Sequence, residues 1–336
     1  MSPKSAQVCL VFASLGATVH SGPPAGPGPR EGHCLVYDVA RRMTLLLDGH
    51  VPPSAPLRGE VWSRSAGPWR RLDGNGPGAR TLGAAAYDSR RGVTVVFGGL
   101  GIVNQNRYGD TWEWDGRRWT EKNVPGPGSR DHHAMVYDAG RGRVVMYGGA
   151  AWDRSSPGDT WQWDGARWTR STAPGPGGRF HHALAYDAKR DRVVLFGGVS
   201  EDRKTLGDTW EWDGAAWREV ARDGPPPRAR HRMAFDGNTE TVLLYGGNAP
   251  PTEPREGFDL LQDTWSWDGS RWTEHHAEGP GPRFMHAMAW DAARRRVVLY
   301  GGGREERDGT SRVSTSLDDT WEWDGARWSR AIAPGR

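Results

Sequence analysis

The sequence predicts an all-β protein, a six-bladed β-propeller with four antiparallel strands in each blade. Three observations support this prediction. A pattern of about fifty residues recurs six times, a pair of small residues stands at one fixed offset in every copy, and an Asp-Gly turn lies between two tryptophans in five copies. Units of this length, each with a Gly doublet, are typical of propeller blades.

The register of the repeat is set by one arginine in each copy. The six positions are Arg30, Arg80, Arg130, Arg179, Arg228 and Arg283. Eighteen residues after each arginine a small-residue pair begins. The pairs are Asp48-Gly49, Gly98-Gly99, Gly148-Gly149, Gly197-Gly198, Gly246-Gly247 and Gly301-Gly302. Six matches at one offset indicate one structural unit repeated six times.

The third copy shows how one unit is built. Residues 133–137 alternate in polarity and predict strand A, residues 138–142 have the composition of a turn, and the apolar run 143–147 predicts a buried strand B. The Gly pair that follows allows backbone angles that a Cβ would forbid.

The second half of the unit is a predicted hairpin. Residues 159–163 predict strand C, with Trp161 and Trp163 on one face. Asp164-Gly165 is a strong hairpin signal, and residues 166–170 return as strand D. A Pro/Gly linker then leads to the next copy. A sheet of this kind has two apolar faces and must stack against neighbouring sheets.

The Gly pair after an apolar strand, the aromatic residue of strand C and the spaced tryptophan of strand D together resemble the kelch family, over residues 30–336. Trp112 and Trp119 occupy the two aromatic positions in the second copy. The resemblance implies a propeller with a galactose oxidase-like fold. The first copy departs most, with Asp48 at a Gly position and Ser63 at the position of Trp114.

Residues 1–29 are read in two ways, both of which leave residues 30–336 as the propeller. The apolar run 8–19 after Lys4 fits a short secretory signal, which would make the protein secreted or periplasmic; otherwise we expect it to be cytoplasmic. Residues 8–16 of this run also align with residues 93–101 and predict a worn strand that closes the ring or belongs to a seventh blade. Val19 lies eleven residues before Arg30, the offset of strand D tryptophans, which favours the second interpretation.

Composition argues against several classes of protein. The formal charge is only +3, and the 44 basic residues are spread among acidic ones rather than clustered, which argues against a nucleic-acid partner. The two cysteines allow no disulfide framework or cysteine-based zinc site. No apolar stretch reaches the 18 or so residues that a membrane span needs.

Strand connectivity places the B to C loops and the starts of the A strands on one face of the disc. The B to C loops vary in length and chemistry, whereas the A to B and C to D turns are short and uniform. We therefore expect function on the face of the B to C loops, hereafter the B–C face. The six repeated arginines should lie there and could hold anions, or instead bind loop carbonyls and aspartates, which their presence in every copy favours.

Three further features carry less functional weight. Histidines recur three residues after the arginine, at His33, His133, His182, His231 and His286, and a repeated structural role explains them more economically than a metal site. The Asp-Gly hairpin partly matches the Asp box of sialidase-like propellers and is read as a turn with its tryptophan packed between blades. The acidic residues Glu305, Glu306 and Asp308 form no recognisable catalytic pair.

The predicted function is a non-catalytic binding scaffold for a protein or peptide, with a glycan as another candidate ligand. Trp152 stands in the B to C loop of the third copy and is a candidate binding anchor, as is the predicted loop 303–318. The alternative is a carbohydrate-binding or carbohydrate-processing kelch enzyme of the galactose oxidase-like or sialic acid isomerase-like kind. A copper oxidase would need a Tyr-Cys cross-link, for which only Cys34 and Cys9 are present. We assign no catalytic residue, metal ligand or cofactor, and oligomeric state stays open.

Overall fold

A computed structural model describes residues 26–50, 59–72, 76–153, 155–251, 257–308 and 311–331. These residues form six antiparallel blades around one axis, with strand order A-B-C-D in every blade and strand A innermost. In blades 2 to 4, additional two-residue strands pair near the start of strand A. The prediction of an all-β, six-bladed propeller is confirmed. No helix among the described residues is long and apolar enough to cross a membrane.

The strands follow the repeat in chain order. In blade 1 they are β1 (Cys34–Asp38), β2 (Met43–Leu47), β3 (Val61–Arg64) and β4 (Arg70–Leu72). In blade 2 they are β5 (Arg80–Thr81), β6 (Ala84–Asp88), β7 (Val93–Gly101), β8 (Arg107–Trp114) and β9 (Trp119–Lys122). In blade 3 they are β10 (Arg130–Asp131), β11 (Ala134–Asp138), β12 (Arg143–Tyr147), β13 (Ala150–Ala151), β14 (Thr160–Trp163) and β15 (Trp168–Arg170).

The second half of the chain repeats this arrangement. In blade 4 the strands are β16 (Arg179–Phe180), β17 (Ala183–Asp187), β18 (Arg192–Ser200), β19 (Thr205–Trp212) and β20 (Trp217–Ala221). In blade 5 they are β21 (Arg232–Asp236), β22 (Thr241–Ala249), β23 (Asp259–Trp267) and β24 (Trp272–His275). In blade 6 they are β25 (Ala287–Asp291), β26 (Arg296–Asp308), β27 (Ser311–Trp323) and β28 (Trp328–Arg330).

The Gly doublet bends strand B towards the next blade. Gly246 and Gly247 have φ values of 61° and 95°, and the ladder between β22 and β23 shifts register at this point. A Cβ at Gly247 would lie 2.6 Å from the carbonyl oxygen of Ala229. The doublet is therefore required both by left-handed backbone angles and by close approach of another backbone.

Two sequence interpretations need correction. The segment 303–318 is no loop, because β26 and β27 remain paired from Gly302↔Leu317 to Asp308↔Ser311 and form a long hairpin. Its polar composition suggested a loop, but backbone hydrogen bonds can hold two strands together whatever the side chains are.

In blade 1, Arg64 and not Ser63 occupies the position of Trp114. Arg64 is paired with Thr44 of the neighbouring strand, just as Trp114 is paired with Thr94 in blade 2.

Adjacent blades are held together by apolar contacts and by the strand D tryptophans. Ala183, Ala185 and Phe196 of blade 4 pack against Met233 and Leu244 of blade 5. In blades 3 to 6 the indole N–H of this tryptophan also donates to a threonine hydroxyl of the preceding blade, whereas the indole N–H of Trp119 in blade 2 has no such partner among the described residues. The pairs are Trp168–Thr111 at 2.9 Å, Trp217–Thr160 at 2.8 Å, Trp272–Thr209 at 2.9 Å and Trp328–Thr264 at 3.0 Å.

The ring closes directly between blade 6 and blade 1. The indole N–H of Trp69 donates to Thr320 Oγ1 at 3.1 Å, and Arg64 pairs with Glu322 at 2.7 Å. The described residues exchange no strand between these blades, since each sheet is built from one continuous stretch. Both interpretations of residues 1–29 depend mainly on residues 1–25, which lie outside the described part of the chain.

Candidate functional site

The six repeated arginines lie inside the blades, where they tie three strands together. All six are at most 4% exposed. Arg228 donates through Nη1 to the carbonyl oxygen of Gly246 at 3.0 Å and forms a paired contact with Asp263. Asp263 also accepts from the indole N–H of Trp265 at 2.7 Å. The start of strand A, the doublet of strand B and the start of strand C are thereby joined.

The same arrangement recurs in the other blades. The ion pairs are Arg30–Glu60 at 3.3 Å, Arg80–Asp110 at 2.7 Å, Arg130–Asp159 at 2.7 Å, Arg179–Asp208 at 2.8 Å and Arg283–Asp319 at 2.8 Å. Burial disfavours the ionised form of each aspartate, yet the paired arginine keeps the pKa of each one below its usual value. The aspartates are Asp110, Asp159, Asp208, Asp263 and Asp319. Ligand binding by the arginines therefore stays a prediction, whereas their contacts support the structural role.

The mouth of the central channel on the B–C face is a closed ring of backbone hydrogen bonds. We call it the mouth ring; its members stand two residues after each repeated arginine and are Gly32, Leu82, His132, His181, Arg230 and Met285. Each N–H donates to the carbonyl oxygen of the equivalent residue in the preceding blade, and Gly32 of blade 1 donates to Met285 of blade 6. The six distances lie between 2.8 and 3.1 Å.

All six members of the mouth ring have left-handed backbone angles, with φ between 53° and 64°. Five of them are not glycine, and this conformation costs an ordinary residue roughly 1 kcal/mol or more. The closed ring of hydrogen bonds holds them there. Five different residue types occupy the six positions while the backbone conformation stays the same, so the ring displays varied side chains on a repeating frame.

The polar part of the mouth ring lies on blades 3 to 5. His132 Nδ1 is 2.6 Å from Asp131 Oδ1, and the other oxygen of Asp131 accepts from Arg107 at 2.7 Å. The rings of His132 and His181 pack edge to face, with centroids 4.0 Å apart. Burial lowers the pKa of both histidines; Asp131 opposes the shift at His132, whereas neighbouring positive charge adds to it at His181. Both are therefore neutral at pH 7.

A groove opens beside the mouth ring between blades 4 and 5, with a volume of about 710 Å³. We call it the blade 4–5 groove; the lining residues that matter here are Phe180, Arg203, Lys204, Arg230 and Phe258. The Arg203 guanidinium lies 5.4 Å from the ring centre of Phe180, and that of Arg230 lies 5.6 Å from Phe258. No carboxylate lines the groove among the described residues. The groove therefore combines aromatic surface with positive charge.

The repeated histidines have one shared environment. Each ring packs against an aromatic side chain of the preceding blade, for example His133 on Phe97 at 5.5 Å and His231 on Phe196 at 5.5 Å between ring centres. Desolvation lowers the pKa of His133 to about 3, and that of His231 falls well below its usual value. The described residues contain no cluster of three or more potential metal ligands. These contacts support the structural interpretation of the histidines.

Trp152 lies just after β13, on the B–C face, and is 66% exposed. Its role as a binding anchor stays a prediction.

Sequence reasoning missed the mouth ring and the blade 4–5 groove, because it looked for residues that recur. The available signal was the reverse. The second residue after each arginine varies, with a histidine in only two copies, although the next residue is a histidine in five of the six copies.

Comparison with known proteins agrees with this architecture. The family described as the KLHDC2/KLHL20/DRC7 kelch-repeats domain matches residues 158–336. No curated protein matches the chain. A solved structure described as "Structure of YjhT" superposes with a TM-score of 0.67 at 15% sequence identity, covering 92% of this chain and 99% of that one. At this identity the likeness concerns the fold alone.

Proposed function

Because this chain belongs to the kelch-repeat family, we propose that it is a binding scaffold that holds a protein or peptide segment on its B–C face. The observation that carries the proposal is the blade 4–5 groove. It presents aromatic and cationic side chains beside a rigid ring, and binding sites commonly combine a rigid frame with a few convergent polar groups.

The chemistry of the groove favours an acidic segment that also carries an apolar side chain. Arg203, Lys204 and Arg230 supply positive charge, while Phe180 and Phe258 supply flat apolar surface. Lys204 is already paired with Asp202 at 2.7 Å. The two arginines are therefore the main candidates for carboxylate contacts, although the carboxylates of Glu31 and Glu305 also act electrostatically on Arg230. A planar guanidinium binds a carboxylate through two parallel hydrogen bonds.

A random-peptide display selection against the intact protein tests this proposal. We expect selected peptides to be rich in Asp and Glu and to contain an aromatic or aliphatic residue. Arg230→Ser should weaken a selected peptide at least tenfold, which corresponds to about 1.4 kcal/mol. Arg118→Ser, which removes an 82% exposed arginine from a C to D turn on the opposite face, is the control and should leave the dissociation constant unchanged.

A selection that returns no acidic preference would overturn the assignment of the groove. Peptides that bind equally well to wild type and Arg230→Ser would do the same. Trp152→Ala addresses the second anchor separately: a weakened peptide or partner would place that tryptophan within the binding surface.

The second candidate, a carbohydrate-processing enzyme, is favoured by the polar groups that do not repeat at the channel mouth. The Asp131–His132 contact at 2.6 Å is the kind that orients an imidazole as a general base. It ranks second because the His132 side chain is only 18% exposed and that of Asp131 only 1%. NMR exchange measurements on hexoses and sialic acids test it, with accelerated interconversion of anomers that is lost in His132→Ala as the supporting result.

A further inference from the structure

The central channel contains a charged side chain that breaks the repeat. Four residues after the repeated arginine, four blades carry Ala84, Ala134, Ala183 and Ala287. Blade 1 has Cys34 and blade 5 has Arg232 at this position. All six residues line or border one cavity on the axis, with a volume of about 100 Å³ and contributions from every blade.

Arg232 differs from the repeated arginines in its partners. Its Nη1 donates to the carbonyl oxygen of His231 at 3.0 Å, and no ion pair to it is found among the described residues. Arg228, four residues earlier, is held by both oxygens of Asp263. No Asp or Glu from the described chain lines the cavity. A guanidinium therefore sits in a confined space without a compensating carboxylate.

The other titratable groups around Arg232 do not supply the missing negative charge. Burial raises the pKa of the Cys34 thiol to about 12, and this thiol donates to the carbonyl oxygen of Gly83 at 3.4 Å. Burial, with a smaller contribution from neighbouring positive charge that includes Arg232, lowers the pKa of five histidines well below the usual value. They are His33, His181, His182, His231 and His286, on blades 1, 4, 5 and 6.

Arg232 lines the axial cavity together with residues from all six blades, so its side chain lies at the channel axis. The cavity around it therefore carries one uncompensated positive charge at neutral pH. Arg232 is half-buried, so its charge is only partly solvated, and a bound counter-ion would relieve the cost of that lost solvation. The cavity volume equals that of about three water molecules, enough for a compact ion.

We propose that the central channel is a binding site for a small monovalent anion, of the size of a halide, nitrate or formate, held by the Arg232 guanidinium. The anion accepts from the guanidinium nitrogens that the His231 carbonyl leaves free, and neutral walls of Ala, Met and Leu side chains surround it. This site goes beyond the proposed function, since it lies inside the channel and not in the blade 4–5 groove.

Diffraction from crystals soaked in bromide tests the proposal directly. The expected result is a bromide anomalous peak in the channel, within hydrogen-bonding distance of the Arg232 guanidinium. A channel without a peak, or with a peak remote from Arg232, overturns the proposal. The wild-type crystal decides this by itself, whatever the variants do.

Solution measurements on a variant add a second test. Chloride, nitrate and formate should raise the unfolding temperature of the wild type saturably against gluconate, a bulkier anion, at constant ionic strength, because binding to the folded state alone stabilises it. Arg232→Met, whose new side chain matches its neighbours Met233 and Met288, should lose this rise. Arg222→Met, which removes an 81% exposed arginine, should keep it. An equal rise in Arg232→Met overturns the proposal.

The proposal of peptide binding in the blade 4–5 groove and the proposal of anion binding in the channel can be tested independently of each other. Arg232→Met should leave the affinity of groove-binding peptides unchanged, and Arg230→Ser should leave the anion response unchanged. Comparison of formate with the halides distinguishes a carboxylate site from a simple halide site.

Discussion

Arg228 and Asp263 meet through two parallel hydrogen bonds, of 2.7 Å from Nη1 to Oδ1 and 2.6 Å from Nη2 to Oδ2. The two side chains differ in exposure: the arginine is fully buried, whereas the carboxylate is 21% exposed. If Arg228 is removed, water can therefore solvate the Asp263 carboxylate. If Asp263 is removed, water has little access to the Arg228 guanidinium. The two halves of the pair should differ in the cost of their removal.

Asp263→Ala should destabilise the protein by about 3–5 kcal/mol, because it leaves a buried guanidinium without its partner. Arg228→Met should cost clearly less, since Asp263 can hydrate and keeps the hydrogen bond from Trp265. Urea denaturation of both variants measures the difference. Equal losses, or a larger loss for Arg228→Met, would show that burial of the guanidinium is not the controlling cost.

The Gly doublet allows steric and conformational costs to be separated. Gly247→Ala should destabilise strongly, because the new Cβ would stand 2.6 Å from the Ala229 carbonyl oxygen and 2.8 Å from His231 Cβ. Gly128→Ala is the matched control, with φ of 81° and no atom within 4 Å of the new Cβ. It should cost only about 1 kcal/mol, the cost of a left-handed backbone. Similar free energies of unfolding for the two variants would contradict the steric account.

Asp48 replaces the first glycine of the doublet in blade 1 and makes stability depend on pH. Burial raises its pKa to about 7, although Arg80 and Arg30 oppose the shift. A carboxyl group whose pKa is raised on folding contributes fully to the stability of the folded protein below its unfolded pKa. That contribution is lost as the pH rises through the folded pKa. Asp48→Asn should therefore gain stability relative to wild type as the pH rises from about 4 to 7, by up to about 4 kcal/mol.

Chemical denaturation of wild type and Asp48→Asn at pH 5 and pH 8 measures this effect. The stability advantage of the variant should be greater at pH 8. Asparagine tolerates the left-handed angle of position 48, where φ is 57°, so the comparison isolates the charge. An advantage that is the same at both pH values would exclude ionisation of Asp48 as its cause.

The mouth ring predicts an unusual substitution pattern at Leu82, where φ is 60°. Leu82→Val should destabilise by about 1 kcal/mol or more, because a β-branched side chain fits the left-handed region poorly. Leu82→Gly relieves the backbone strain and should cost little despite the lost side chain. If valine were tolerated better than glycine in urea denaturation, the backbone would not be controlling this position.

The sequence could predict those parts of the fold that depend on recurrence. Asp-Gly turns, alternating strands and the doublet 246–247 each have local causes that a repeat makes visible six times. The pairing of β26 with β27 out to Ser311 could not be predicted, because a polar ribbon held by backbone hydrogen bonds leaves no apolar pattern. Arg64 was misplaced by one residue because the first copy lacks the second tryptophan of strand C.

The candidate site was only partly predictable for a different reason. The B–C face follows from strand order, and the blade 4–5 groove lies on that face. The structural role of the repeated arginines followed from their recurrence. Arg230 and Arg232 were overlooked, because an arginine in an Arg-rich chain gives no signal until the fold places one at the channel mouth and the other inside it.

In the mouth ring, six positions share one backbone conformation although they carry five different residue types. Its hydrogen bonds use main-chain atoms only, so each position keeps its place whether it carries glycine, leucine, histidine, arginine or methionine. Substitution there can change what the channel mouth recognises without a new backbone. The ring is therefore an array of six positions that can exchange side chains without β-branching on one fixed backbone, which makes it suited to a combinatorial library.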